Sequence, residues 1–221
     1  MTMFREILRA QWRGSRLALL ILAVLAFAAP LTTVYWGGDL RTSGTDRVAF
    51  WLSAAERIAA LLPYLALLAG VAAGFLAWAP DHAGRHVYAL SLPISRPRFV
   101  ALRFGAGAVI VAVPAVGLLA GAIVASLAVS LPEGLHAYPA QLTVRFLLAS
   151  LTIYAIIFAL SIATKRAQLL VAGAFGGVIV ADVILSAWNV GFSVTANTLI
   201  WLTTWPGPLS ILAGSWTLFD V

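Results

Sequence analysis

Five runs of this chain are apolar for as long as a helix needs to cross a membrane: residues Leu17 to Trp36, Ile58 to Ala79, Phe104 to Leu131, Phe146 to Thr164 and Leu169 to Trp188. A helix rises about 1.5 Å per residue, so about 20 apolar residues traverse the roughly 30 Å of hydrocarbon in a bilayer. Runs of this length leave too little polar surface for a soluble fold. The sixth run, Thr195 to Leu218, is interrupted by Trp205-Pro206-Gly207-Pro208, where the prolines withdraw backbone donors and disfavour helix. It is expected to be either a kinked span or a re-entrant pair of half-helices. The predicted fold class is therefore an all-α polytopic membrane protein with six transmembrane helices, or five plus a re-entrant hairpin. Composition agrees: 62% of the 221 residues are hydrophobic and 10% charged, against about 45–50% and about 25% in soluble domains.

The few charges are unevenly distributed. Thirteen Arg and the single Lys165 face eight acids and three His, a net charge of +6. With the N-terminus inside, ten of the fourteen basic residues are cytoplasmic: Arg5, Arg9, Arg13, Arg16, Arg85, Arg96, Arg98, Arg103, Lys165 and Arg166. Only Arg41, Arg47, Arg57 and Arg145 fall outside, which supports an N-terminus in the cytoplasm. A sixth full span would bring the C-terminus inside as well. Basic excess in so apolar a chain marks cytoplasmic loops rather than a nucleic-acid surface. The first run passes Ala26-Phe27-Ala28-Ala29-Pro30 and continues to Tyr35-Trp36, longer than the core of a signal peptide. Ahead of it, Phe4, Ile7, Leu8 and Trp12 share one helical face while Arg5, Arg9, Arg13 and Arg16 share another. Residues 1–16 are thus predicted to form an amphipathic helix in the cytoplasmic interface, arginines toward anionic headgroups.

Several chemistries are missing from the sequence. A phosphate-binding loop needs a Gly-rich turn ending in Lys and Ser or Thr, whereas Lys165 is preceded by Thr164 and followed by Arg166. With no cysteine there is no thiolate nucleophile or Cys-based metal site. His82 and His86 are four apart, but no Glu lies between them, so the zinc-protease pattern fails. No catalytic residue, metal or bound cofactor is expected in this chain.

The loop joining the second and third runs, residues 80–99, is patterned rather than floppy. Val87, Leu90 and Ile94 recur at helical spacing after Pro80-Asp81, read as a helix start, and Pro93 and Pro97 are read as its stop or kink. The expectation is a short amphipathic helix parallel to the membrane. Here the sequence resembles the permease subunits of type-2 ABC transporters. Their loop between spans two and three carries an acidic residue, a glycine, and a Leu-x-x-Leu-Pro-x-Ser-Arg run; Asp81, Gly84 and Ala89-Leu90-Ser91-Leu92-Pro93-Ile94-Ser95-Arg96 resemble it, and Arg103 matches the basic residue that opens the third span.

The resemblance implies a single transmembrane permease domain over 1–221, in the cytoplasmic membrane of a prokaryote. It makes residues 80–99 a coupling helix seated in a groove of a separate ATPase subunit, with Asp81, Gly84, Leu90, Leu92, Pro93, Ser95 and Arg96 at the contact. Residues Arg5, Arg9, Trp12, Arg13 and Arg16 would belong to the membrane-interface helix. ATP and Mg would be held by the ATPase subunits, and a second copy or a related permease would complete the exporter.

Other features are less specific. Asp182, inside the fifth run, is a candidate for a pathway or a subunit contact, because ionisable groups in spans are functional by default. Gly70 and Gly74, Gly117 and Gly121, and Gly173 and Gly177 have the spacing that lets helices approach closely. Pro114 is expected to kink the third span. Trp36, Trp51, Trp78, Trp188 and Trp201 are read as interfacial belt residues. An integral scaffold or accessory subunit that transports nothing is the alternative reading. A secondary transporter would need internal repeats and several midplane ionisable groups, which the sequence lacks.

Overall fold

The computed structural model describes residues 2–83, 95–162, 173, 177, 181, 185, 197, 200, 201, 204, 207 and 209–220. It is mainly helical. Helix α1 spans Thr2–Gly37, α2 Thr45–Ala59, α3 Leu62–Ala83, α4 Arg96–Ala128 and α5 Pro139–Ile162. Two-residue strands, β1 at His136–Ala137 and β2 at Phe219–Asp220, pair antiparallel with His136 opposite Asp220. The chain forms two compact units, residues 1–158 with 215–221, and residues 159–214.

Among the described residues, four stretches are long and apolar enough to cross a membrane: Met3–Tyr35, Thr45–Trp78, Arg96–Ala128 and Pro139–Ser161. Their large aliphatic side chains point outward, with Leu17 75% and Leu127 82% exposed, while Ala, Gly and Ser fill much of the inside. A soluble monomer rarely exposes apolar side chains in this way; the arrangement is consistent with an integral membrane protein whose helices pack through small residues.

The buried face of α1 runs Gln11, Ser15, Leu19, Leu22, Ala26, Pro30, Thr33 and Gly37, spaced by four, four, three, four, four, three and four. That is an 11-residue repeat, close to the 3.6-residue helical period, so one stripe is buried from end to end, against α3 and α4 at Leu19 and Leu22 and against α2 at Gly37. Helix α4 is the main neighbour of α1. The approach is close because α4 has no side chain at two points. A Cβ at Gly117 would lie 2.5 Å from the Ala23 carbonyl oxygen, and one at Gly121 would collide with that of Phe27. On the far side, Gly70 and Gly74 of α3 take Ser150, Ile153 and Ile157 of α5 in the same manner. These two glycine pairs are thus used within the chain; a Cβ at Gly173 or Gly177 would meet nothing within 4 Å among the described residues.

Two apolar clusters fill the bundle. Leu19, Leu22, Ala69 and Ile110 are flanked by Leu8, Trp12, Leu65 and Ala72. Ala73, Ala77, Trp78, Val111, Tyr154 and Phe158 form the other, nearer the Thr2 end of α1. At the Gly37 end, backbone pairing ties the loops: Asp39 bridges Ser130, and the Leu40 and Tyr138 amides donate to Ser130 (3.2 Å) and Leu218 (2.8 Å). Trp51 Nε1 donates to the Thr33 carbonyl at 2.7 Å, and its ring lies 4.9 Å from that of Phe219.

Several expectations need correction. Residues 45–59, read as part of an outer loop, are helix α2, which buries Trp51, Ala55 and Ala59 on one face. Trp51 and Trp78 are not belt residues: they are fully buried and 5% exposed respectively. Helix α3 continues through Pro80-Asp81 to Ala83, so that dipeptide does not open a new helix. Pro97 sits in the first turn of α4, where a missing N–H removes no bond, and so it begins a helix rather than stopping one. Helix α4 begins eight residues ahead of the predicted span, and α5 seven, because a helix can extend beyond the hydrocarbon into polar surroundings. Pro114 is buried inside α4. Residues Ser215 to Asp220 lie at the Gly37 end, beside the loop between α4 and α5.

Candidate functional site

The predicted contact with an ATPase subunit falls at the Thr2 end, where α3 finishes and α4 begins. Asp81 lies in the last turns of α3. Gly84, Leu90, Leu92 and Pro93 lie outside the described residues, as does most of the expected coupling helix. Ser95 precedes α4 with extended backbone (φ −65°, ψ 137°) and makes no side-chain cap hydrogen bond. Arg96, the first residue of α4, is exposed, as are Pro97 and Arg98. No acid occupies this first turn. Two arginines therefore stand at the positive end of a helix dipole, which disfavours each by about 0.3–1 kcal/mol. Such a local conflict is the pattern expected at a site kept for contact with something anionic.

Seven residues further along α4, Arg103 does the opposite and turns inward. It is 6% exposed. Its Nε donates to the Ala77 carbonyl of α3 at 2.7 Å, and its guanidinium lies 4.5 Å from the centre of the Trp78 ring and 5.4 Å from that of Phe99. Planarity allows the group to stack on an aromatic face while donating at its edge, which a lysine cannot do. Its own carbonyl accepts from Gln11 Nε2 of α1 at 3.3 Å. The next carbonyl, of Phe104, accepts from the Tyr154 hydroxyl of α5 at 3.0 Å, with the Phe104 and Tyr154 rings stacked at 5.2 Å. Gly107 leaves room for the tyrosine, since a Cβ there would collide with the hydroxyl.

The remaining predicted residues divide. Arg5, Arg9, Arg13 and Arg16 are all exposed on α1. Trp12 turns the other way and packs beside the Leu19, Leu22, Ala69 and Ile110 cluster. No break separates residues 1–16 from the span, so the interfacial segment is the first part of one 36-residue helix. Asp182 lies outside the described residues. Arg41, Arg47, Arg57 and Arg145 belong to the Gly37 end, where Arg41 Nε donates to the Leu131 carbonyl at 3.0 Å and Arg145 to that of Ser215 at 2.5 Å.

Sequence reasoning did not single out Gln11 or Tyr154, and it placed Trp78 in the interfacial belt. A signal was available for two of them: Gln11 interrupts an apolar stripe with an amide, and Tyr154 sits inside an apolar run with a hydroxyl that must find a partner when buried. Set against protein-family models, curated proteins and solved structures, the chain matches none.

Proposed function

We propose that this chain is the membrane-spanning permease subunit of an ATP-driven type-2 ABC exporter, working with separate ATPase subunits and a second permease copy. The observation that carries the reading is the loop sequence from Asp81 to Arg96, which resembles the coupling segment of those permeases. Supporting it are four helices long and apolar enough to span a membrane, and exposed Arg96 and Arg98 at a helix terminus that favours anions over cations. The position of β2 beside β1 fits five spans with a re-entrant hairpin over 195–218 better than six complete crossings.

In this reading ATP-driven closure of the ATPase subunits pushes the segment between α3 and α4. Leu90, Leu92 and Pro93 fill an apolar groove, and Arg96 pairs with an acid. The rigid helices on either side convert the push into movement between permease copies, a rigid-body switch.

The test is a mild-detergent pull-down of the tagged chain with mass spectrometry of its companions. A stoichiometric soluble ATPase, lost on Leu92→Asp, is the expected result. Recovery of other integral proteins with no ATPase would sink the exporter and favour a non-transporting scaffold.

A further inference from the structure

Two consecutive residues of α4 tie it to the three other long helices. Arg103 reaches α3 with its side chain and α1 through its carbonyl; Phe104 reaches α5 through its carbonyl. The link to α1 is the less expected one. Gln11 is 4% exposed, and the next residue of its stripe, Ser15, turns its hydroxyl back onto the Gln11 carbonyl at 2.8 Å. Two of the four exposed arginines of α1, Arg5 and Arg9, precede Gln11 and two, Arg13 and Arg16, follow it, and the apolar part of the stripe begins at Leu19, so Gln11 is a buried amide within the charged part of the helix.

An arginine is a poor choice for stability alone. Removing a guanidinium from water is strongly unfavourable, and an apolar side chain of similar size often fills such a place as well or better. What the guanidinium supplies, and Met or Leu does not, is direction: one edge fixed on a carbonyl and one face on a ring.

We propose that Gln11 and Arg103 are positioning residues which lock the N-terminal part of α1 to the facing ends of α3 and α4, so that displacement of those ends is carried into α1. The transmission rests on the exporter reading; the lock does not. The arginine-rich turns of α1 and the facing ends of α3 and α4 then move as one body, and α1 becomes the output element. In a rigid bundle, a small displacement at one end of a 36-residue helix reaches the other end.

The chain has no cysteine, so an engineered pair reports without background. A Cβ at Gly105 would lie 3.8 Å from the Phe4 ring, which places Phe4→Cys and Gly105→Cys within reach of a short bifunctional methanethiosulfonate. Cross-linking of the purified full chain, quantified by mass spectrometry of the linked peptides, should slow by up to about tenfold in the Gln11→Leu background, the change expected from one hydrogen bond of ordinary strength. Arg103→Met, which cuts the side-chain tie to α3 and keeps the carbonyl that Gln11 reaches, should slow it less. Thermal midpoints should change little. Unchanged cross-linking in the Gln11→Leu background overturns the lock. Should Gln11→Leu not yield folded protein, Gln11→Met decides in the same direction.

Transmission is read separately, in the complex with its ATPase. Gln11→Leu should leave ATPase recovery intact and lower the permease-dependent stimulation of ATP hydrolysis. Unchanged stimulation together with slowed cross-linking overturns transmission. If the parent chain recovers no ATPase while cross-linking still depends on Gln11, the exporter reading fails and the lock stands.

Discussion

The two ends of the bundle are closed by different chemistry. At the Gly37 end the fastening is largely main chain on main chain: Asp39 bridged to Ser130, β1 paired with β2, and Tyr138 donating to Leu218, with Trp51 and Phe219 packed behind. At the Thr2 end side chains do the work, Arg103, Gln11 and Tyr154 each donating to a helix carbonyl that already has a place in its own ladder. Main-chain pairing is blind to most substitutions. A side-chain fastening is lost with one residue, and can be weakened without unmaking the helices it joins. The first suits an end that must stay shut, the second an end that changes partners.

The contrast would break most visibly at Trp51. Trp51→Ala removes a fully buried ring and its bond to Thr33, and should destabilise the protein by about 3–5 kcal/mol. Hydrogen exchange should show the Tyr138 amide released far more than any amide near Arg103, because sites this far apart act independently. Equal release at both ends would mean that they are one cooperative unit. Gly121→Val strikes between them: its methyl groups meet the Phe27 carbonyl, with about 1–3 kcal/mol of overpacking expected and a lowered thermal midpoint in detergent. A midpoint unchanged from the parent would show that α1 and α4 can separate freely.

Tyr154→Phe refines the comparison. It keeps the ring against Phe104 and Phe158 and deletes only the bond to the Phe104 carbonyl, for about 0.5–1.5 kcal/mol; the loss should be confined to amides of the Thr2 end. Arg41→Ala is the smallest. Its bond to Leu131 is exposed and redundant with the Asp39 bridge, so stability should stay within about 0.5 kcal/mol. A larger fall would show that the exposed Arg41 bond holds this end beyond what main-chain pairing and the Trp51 packing supply.

Hydropathy alone made the long helices legible, since about 20 apolar residues in a row permit few other structures. It erred where helices leave the hydrocarbon. Residues 45–59 carry Asp46, Arg47, Glu56 and Arg57 and so read as loop, although Trp51, Ala55 and Ala59 recur every fourth residue on one face. The helix starts at Arg96 and Pro139 were hidden in the same way, by polar residues that a helix accepts outside the lipid. Of the site, Arg103 was visible as a basic residue at a span boundary. Its burial was not, because whether an arginine snorkels outward or turns inward depends on the neighbouring helix, here on the Ala77 carbonyl and the Trp78 ring. The β1–β2 pair was beyond reach: two residues each, far apart in the chain, carry no periodicity.

That pair also has a place in time. His136 and Asp220 are joined across the sequence, and a chain synthesised at about 5–20 residues per second delivers the later partner about 4 to 17 seconds after the earlier one. Until residues up to Asp220 have been made and brought to the Gly37 end, that strand pairing cannot form. The α1, α3 and α4 contacts around Gln11 and Arg103 need nothing beyond residue 103. The nascent protein can therefore assemble from the Thr2 end and be fastened last at the other.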